Sequence, residues 1–170
     1  MIDSKFTFLA PAVLALSLAA CGGGSDSGPI YCPTPFTVTD AGRLTHFKDG
    51  AGRDPRDIAY EAALAGATTS CEARKNVIDV TLVMRVSAVA GPSVAAGQTR
   101  VPYFVRVLDG NGAVVQGQEF TADFRLSAAN PRGSSREELS LSLPRNGDFR
   151  IAVGLKPTVE ELNYNRRGRQ

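Results

Sequence analysis

The chain has no tryptophan, a single histidine (His46) and almost no charge imbalance, since 19 lysines and arginines against 17 acids leave a formal charge of +2. A nucleic-acid binder carries a much larger basic excess gathered on one face, so no nucleic-acid partner is expected. There is no CxxC pair and no Gly-x-Ser-x-Gly elbow. Gly22 to Gly24 lack the preceding strand and following helix that a phosphate-cradling loop needs. Long apolar runs are also missing. Only residues 6–18 form one, and it falls short of the roughly 20 residues a permanent transmembrane helix requires. What remains is the composition of an ordinary globular protein, 43% hydrophobic with 8 phenylalanines.

The amino terminus carries the sharpest signal. Lys5 leads into the run 6–18, which ends in Leu18-Ala19-Ala20-Cys21 followed by Gly22-Gly23-Gly24. A positive n-region, a short apolar h-region and small residues before a cut site make a secretory signal. Leu-Ala-Ala-Cys resembles the lipobox of bacterial lipoproteins. That resemblance implies cleavage after Ala20, a thioether-linked lipid and an acylated amino group on Cys21, and a membrane partner reached through that lipid. With Gly22 rather than aspartate after the cysteine, it also implies passage to the outer membrane. An ordinary secretory signal that happens to precede a cysteine is the alternative.

Removing residues 1–20 leaves 150, with the charge unchanged because Asp3 and Lys5 leave together. Residues 21–29 read as a flexible Gly/Ser tether, 30–164 as one folded domain and 165–170 as a basic tail. With Cys21 assigned to the lipid, Cys32 and Cys71 form the remaining pair, and in an oxidising compartment they are expected to be bridged. Closing that loop of 71 − 32 = 39 residues stabilises by about 4 kcal/mol on the chain-entropy account. A reactive thiol or a metal ligand is the other reading of these two residues.

Period-two alternation dominates the domain. Ile78, Val80, Leu82, Met84 and Val86 alternate with Asp79, Thr81, Val83, Arg85 and Ser87, and the pattern recurs at 58–64, 101–107, 120–126, 139–143 and 149–155. Asp109-Gly110-Asn111-Gly112, Asn130-Pro131 and Asn146-Gly147 supply the turns between runs. About seven short strands spaced this way predict an all-β fold, an antiparallel two-sheet β-sandwich of immunoglobulin or fibronectin type III character. A barrel alternates in the same way and stays open. Thr158 with Glu161 forms a capping box that predicts a short C-terminal helical turn.

The candidates for chemistry are few. His46 lies in a strand-like segment, where a lone histidine is ordinarily structural. Asp109 and Asn111 open like a calcium loop, but Ala113 and Phe120 stand where later ligands belong. No catalytic residue, metal site or cofactor is therefore expected. Two segments could recognise a partner: the polar loop 48–57 with Arg53, Asp54, Arg56 and Asp57, and the C-terminal segment with Tyr164, Arg166 and Arg167.

The mature chain also resembles a family of uncharacterised proteobacterial envelope lipoproteins, through Cys32-Pro33, Arg43-Leu44-Thr45 with Gly52-Arg53-Asp54, Cys71, Val101-Pro102-Tyr103-Phe104-Val105 and Glu161-Leu162-Asn163-Tyr164-Asn165-Arg166. The resemblance implies the anchor, the cysteine pair and the β-fold, and it implies no activity. The expectation is a lipid-anchored binding or scaffolding module with an envelope protein as partner. An assembly factor acting by strand addition and an envelope hydrolase are the alternatives. Cys21→Ser is expected to move the protein from the membrane to the soluble envelope fraction; persistence in the detergent phase with a lipid-dependent mass would contradict the lipobox assignment.

Overall fold

The computed structural model describes residues 30–50 and 52–167. The signal segment 1–20, Cys21, the tether 21–29 and the last three residues of the basic tail lie outside them. Eight strands form two four-stranded sheets: β1 (Pro35–Thr37), β2 (Arg43–Phe47), β3 (Ile58–Ala73), β4 (Val77–Ala90), β5 (Gly97–Leu108), β6 (Val114–Leu126), β7 (Arg132–Pro144) and β8 (Arg150–Leu155), followed by helix α1 (Val159–Arg167). One sheet has the order β1-β8-β5-β6 and the other β2-β3-β4-β7. The chain crosses between sheets at β1–β2, β4–β5, β6–β7 and β7–β8. This interlocks the pairs β4/β7 and β5/β8 in the Greek-key manner of immunoglobulin-like sandwiches. The predicted all-β sandwich is the observed fold, and its open edges set it apart from a barrel.

The alternation produces the core. Along β4, Ile78, Val80, Leu82, Met84, Val86 and Ala88 are all buried. They face Val101, Tyr103, Val105 and Val107 of β5 and Ile151, Val153 and Leu155 of β8 in one cluster. Odd-numbered β4 residues are half-buried or exposed, as a strand with one solvated face requires. Tyr103 brings a hydroxyl into this core and donates it to Glu137 Oε2 at 2.9 Å. Burial first, and then that hydrogen bond, push the phenol pKa far above its ordinary value.

Several elements exceed their sequence signatures. β3 runs on past Leu64 to Ala73 through a bulge between Leu64 and Ala67, where Gly66 takes φ +104°. Such a backbone angle favours glycine. Cys71 accordingly lies within a strand. The segment 134–137, with no long apolar side chain, belongs to β7. β1 has too short a run to announce itself and pairs parallel to β8, so the first sheet is mixed rather than purely antiparallel. β8 is buried on both faces from Ile151 onward; a side chain at Gly154 would meet Phe104 and Ala41 on its outer face.

Cys32 and Cys71 are joined in a disulfide with a Cα–Cα distance of 5.7 Å. Together with the hydrogen bond from Thr69 Oγ1 to the Pro33 carbonyl at 2.7 Å, it lays the start of the domain along the free edge of β3. The connections β3–β4, β5–β6 and β7–β8 gather at the same end of the sandwich as this staple, called here the hairpin end. The connections β2–β3, β4–β5 and β6–β7 gather at the opposite, open end.

The core argument yields a direct comparison. Leu82 is fully buried, whereas Thr81 points to the other face. Leu82→Ala is expected to lower unfolding stability by about 2 to 5 kcal/mol and Thr81→Ala by about 0.5 kcal/mol or less, as read from urea midpoints. Equal losses would contradict the one-sided packing of β4.

Candidate functional site

Helix α1 begins where the sequence places it. Glu161 N–H donates to Thr158 Oγ1 at 3.3 Å, and Thr158 N–H donates to Glu161 Oε2 at 2.8 Å, closing the capping box. The helix then continues to Arg167. Residues 165–167, read from the sequence as the start of a tail, are therefore its last turn. α1 lies antiparallel along β2, the outer strand of its sheet. Asn165 donates from Nδ2 to the Arg43 carbonyl at 3.1 Å and accepts from Thr45 Oγ1 at 2.8 Å. Arg166 reaches Asp40 at 2.6 Å.

The two candidate recognition segments meet across this helix. Arg53 of the polar loop stacks its guanidinium over the Phe47 ring, 4.9 Å from the centroid, and pairs with Glu160 of α1. Tyr164 packs edge-on against the same Phe47 ring at 4.9 Å. Arg53 and Tyr164 thus share one aromatic support. Asp54 and Arg56 turn towards each other instead: Asp54 accepts from the Arg56 backbone N–H and from its guanidinium, both at 2.9 Å, and caps the short 3-10 turn 55–57. The Arg56 guanidinium holds the Asp54 carboxyl below its ordinary pKa. The Asp57 carbonyl accepts from Lys48 N–H at 2.9 Å and closes the loop. Arg167 is exposed at the end of the helix.

Between β2–β3 and β5 the open end forms a cleft of about 710 Å³. It exists because β8 stops at Leu155, opposite Tyr103, while β5 reaches back to Gly97. Leu44, Val94 and Pro102 give it apolar lining, and His46, Asp49 and Lys156 give it charge. His46 stacks on Tyr60 with ring centroids 4.8 Å apart and is hydrogen-bonded to Glu161, with 2.8 Å between Nδ1 and Oε1. Tyr60 donates its hydroxyl to the Arg100 carbonyl at 2.9 Å, and burial, with the Glu161 charge second, pushes its pKa up to about 12.

The pairing of His46 with Glu161 went unread in the sequence, where the two residues stand 115 apart. The capping box exposed Glu161, but nothing local tied it to His46. Glu161 is only 4% exposed, so its charge needs these partners. Asp109, for its part, spends Oδ1 on its own turn, accepting from the Asn111 and Ala113 N–H groups at 2.9 Å each. Among the described residues no group of three or more His, Cys, Asp or Glu side chains has an arrangement that could hold a metal ion. No described helix is long and apolar enough to cross a membrane.

No protein family matches the chain, and no curated protein matches it. A crystal structure at 1.81 Å resolution of a DUF1425 family member from Shewanella sp. pv-4 is similar to it at 12% identity, covering 78% of this chain and 98% of that one with a TM-score of 0.37. A likeness that loose adds nothing to the geometry described above.

The ion pair has a signed pH dependence. The hydrogen bond to Glu161 raises the His46 pKa above 6.5 and outweighs burial, which lowers it. Burial raises that of Glu161, but the bonds from His46 and Thr158 prevail and leave it below 4.5. The histidine contribution is complete below 6.5 and is lost as pH rises through the raised folded value. The carboxylate contribution is present above 4.5 and is lost as pH falls through the depressed one. His46→Gln is therefore expected to destabilise the protein more at about pH 6 than at about pH 8.5, in urea unfolding at the two pH values. An equal loss at both would show that the pair is not ionic.

Proposed function

We propose that the protein is a lipid-anchored binding module of the cell envelope whose open end recognises an envelope protein. The observation that carries this reading is the opposition of its two ends. The disulfide fixes the entering chain to β3 at Cys71, whereas the polar loop joins β3 at Ile58. Those thirteen residues (71 − 58) separate the two by roughly 40 Å of strand. A chain tethered through Cys21 would hold its hairpin end near the membrane and present loop 48–57, the cleft and α1 to the periplasm. That surface mixes charges of both signs with supported aromatics, a composition suited to a protein partner.

Strand addition has less support. α1 hydrogen-bonds along the outer side of β2, and the edge strand β7 turns Glu137 inward to Tyr103. Both features discourage edge pairing at β2 and β7, which leaves β6, the 13-residue outer strand of the first sheet, as the edge where it could occur. A hydrolase would need a nucleophile within reach of His46 Nε2; the Nδ1–Glu161 bond is one that a triad base also makes, and no observation here supplies the nucleophile.

A photo-crosslinking residue in place of Arg56, whose side chain is 88% exposed, is expected to give a discrete protein adduct in intact envelopes. The same residue in place of Ser142, on the solvent face of β7 near the hairpin end, should not. No adduct at position 56, or the same adducts at both, would sink the reading.

A further inference from the structure

The large apolar side chains that remain exposed are unevenly distributed. Among the described residues, Tyr31 (79% exposed), Val114 (58%), Val115 (54%), Ile30 (45%) and Phe36 (39%) all belong to the hairpin end, and only Val89 and Val159 lie elsewhere. Their position follows from the register. Cys32 joins Cys71 and Pro33 meets Thr69, so the chain runs into the domain from the β3–β4 turn, and Ile30 and Tyr31 lie beyond it. Pro35 pairs with Ile151 at the start of β8, and Val114 opens β6 opposite Leu108 at the end of β5. Exposed aliphatic and aromatic side chains gathered at one end of a sandwich are unfavourable in water and call for a cover.

From these positions, together with the reading of Cys21 as the lipid attachment on which this inference rests, we infer that the hairpin end lies on the bilayer surface. Ile30, Tyr31, Val114 and Val115 then sit at the headgroup level. The occupant is set by the length of chain outside the described residues. Ten residues lie between Cys21 and Cys32 (32 − 21 − 1), and a Gly/Ser-type tether of that length has an average end-to-end distance of roughly 20 Å, about half the strand length that separates the two ends of the sandwich. The lipid is therefore held nearer, on average, to the end that carries these residues than to the open end. A tyrosine with an apolar ring and a polar tip suits that interface.

Charge plays the smaller part. Arg74, Lys75, Arg145 and Arg150 are matched at this end by Glu72, Asp79, Asp109 and Asp148. Arg74 pairs with Asp79, and Arg150 lies over the Phe36 ring. Contact is therefore expected on neutral and anionic lipid alike.

The test uses the full lipidated chain in vesicles of phosphatidylcholine and, separately, of phosphatidylethanolamine with phosphatidylglycerol, both doped with nitroxide-labelled lipid. An environment-sensitive fluorophore is attached at Val115→Cys or at Val159→Cys, two exposed sites at opposite ends of the molecule. Quenching at position 115 should exceed that at 159 at least threefold in both lipids. Flotation of the protein with vesicles but equal or weaker quenching at 115 overturns the inference and leaves the anchor intact. Quenching at 115 only with anionic lipid overturns the apolar basis of the contact. Failure to float overturns the anchor and the inference together.

Discussion

Strand β4 hydrogen-bonds along nearly its whole length to β3 on one side and β7 on the other, while its even-numbered side chains face the second sheet. Because side chains alternate strictly across a strand, a one-residue slip in either ladder would carry Ile78 through Ala88 into water and Asp79 and Arg85 into the core. Two long pairings and one apolar face therefore fix each other. Other features follow that register: it places Cys71 opposite Val80, where Cys32 reaches it, and the bulge at Gly66 lets β3 keep step on both sides of it.

The edges are handled separately from the core. β2 would offer a free edge, and α1 covers it by side-chain bonds to the strand and ion pairs to the adjoining loops. Glu161 acts twice in this arrangement, as the acceptor in the capping box and as the partner of His46. Helix initiation and helix docking consequently depend on one carboxylate. β7 carries its own deterrent in the inward Glu137, and β1 is only three residues long. Features of this kind limit pairing with neighbouring chains, and β6, 13 residues long, is the remaining outer strand.

The same topology gives the molecule two unlike ends. Tight hairpins, the disulfide and most of the exposed apolar residues share one. The long loops, the helix start and the cleft share the other. Two ion pairs, Arg53 with Glu160 at the open end and Arg166 with Asp40 at the far end of α1, hold loop and helix in shape rather than leaving a solvated loop and a loose tail. They are exposed pairs worth little individually, and their value lies in fixing where Phe47, Tyr164 and the remaining polar groups stand.

The sandwich was legible in the sequence because period-two alternation is local: Ile78 to Val86 announce a one-sided strand without reference to any partner. The capping box at Thr158 and Glu161 and the turn at Asp109 were legible for the same reason, each being a contact within a few residues. Cysteine arithmetic found the disulfide because only one pair was left. The parallel pairing of β1, the extension of β3 beyond a glycine bulge and the two-sided burial of β8 were not legible, since each depends on what packs against the strand. The His46–Glu161 pair and the convergence of Arg53 and Tyr164 on Phe47 belong to the same class. Sequence alone determined which faces are apolar and where helix and turns begin, because those are set by residues in contact along the chain. Only the tertiary structure decided which polar residues would meet, because contacts between residues more than a hundred positions apart depend on strand order and register, to which many side chains contribute and which none encodes by itself.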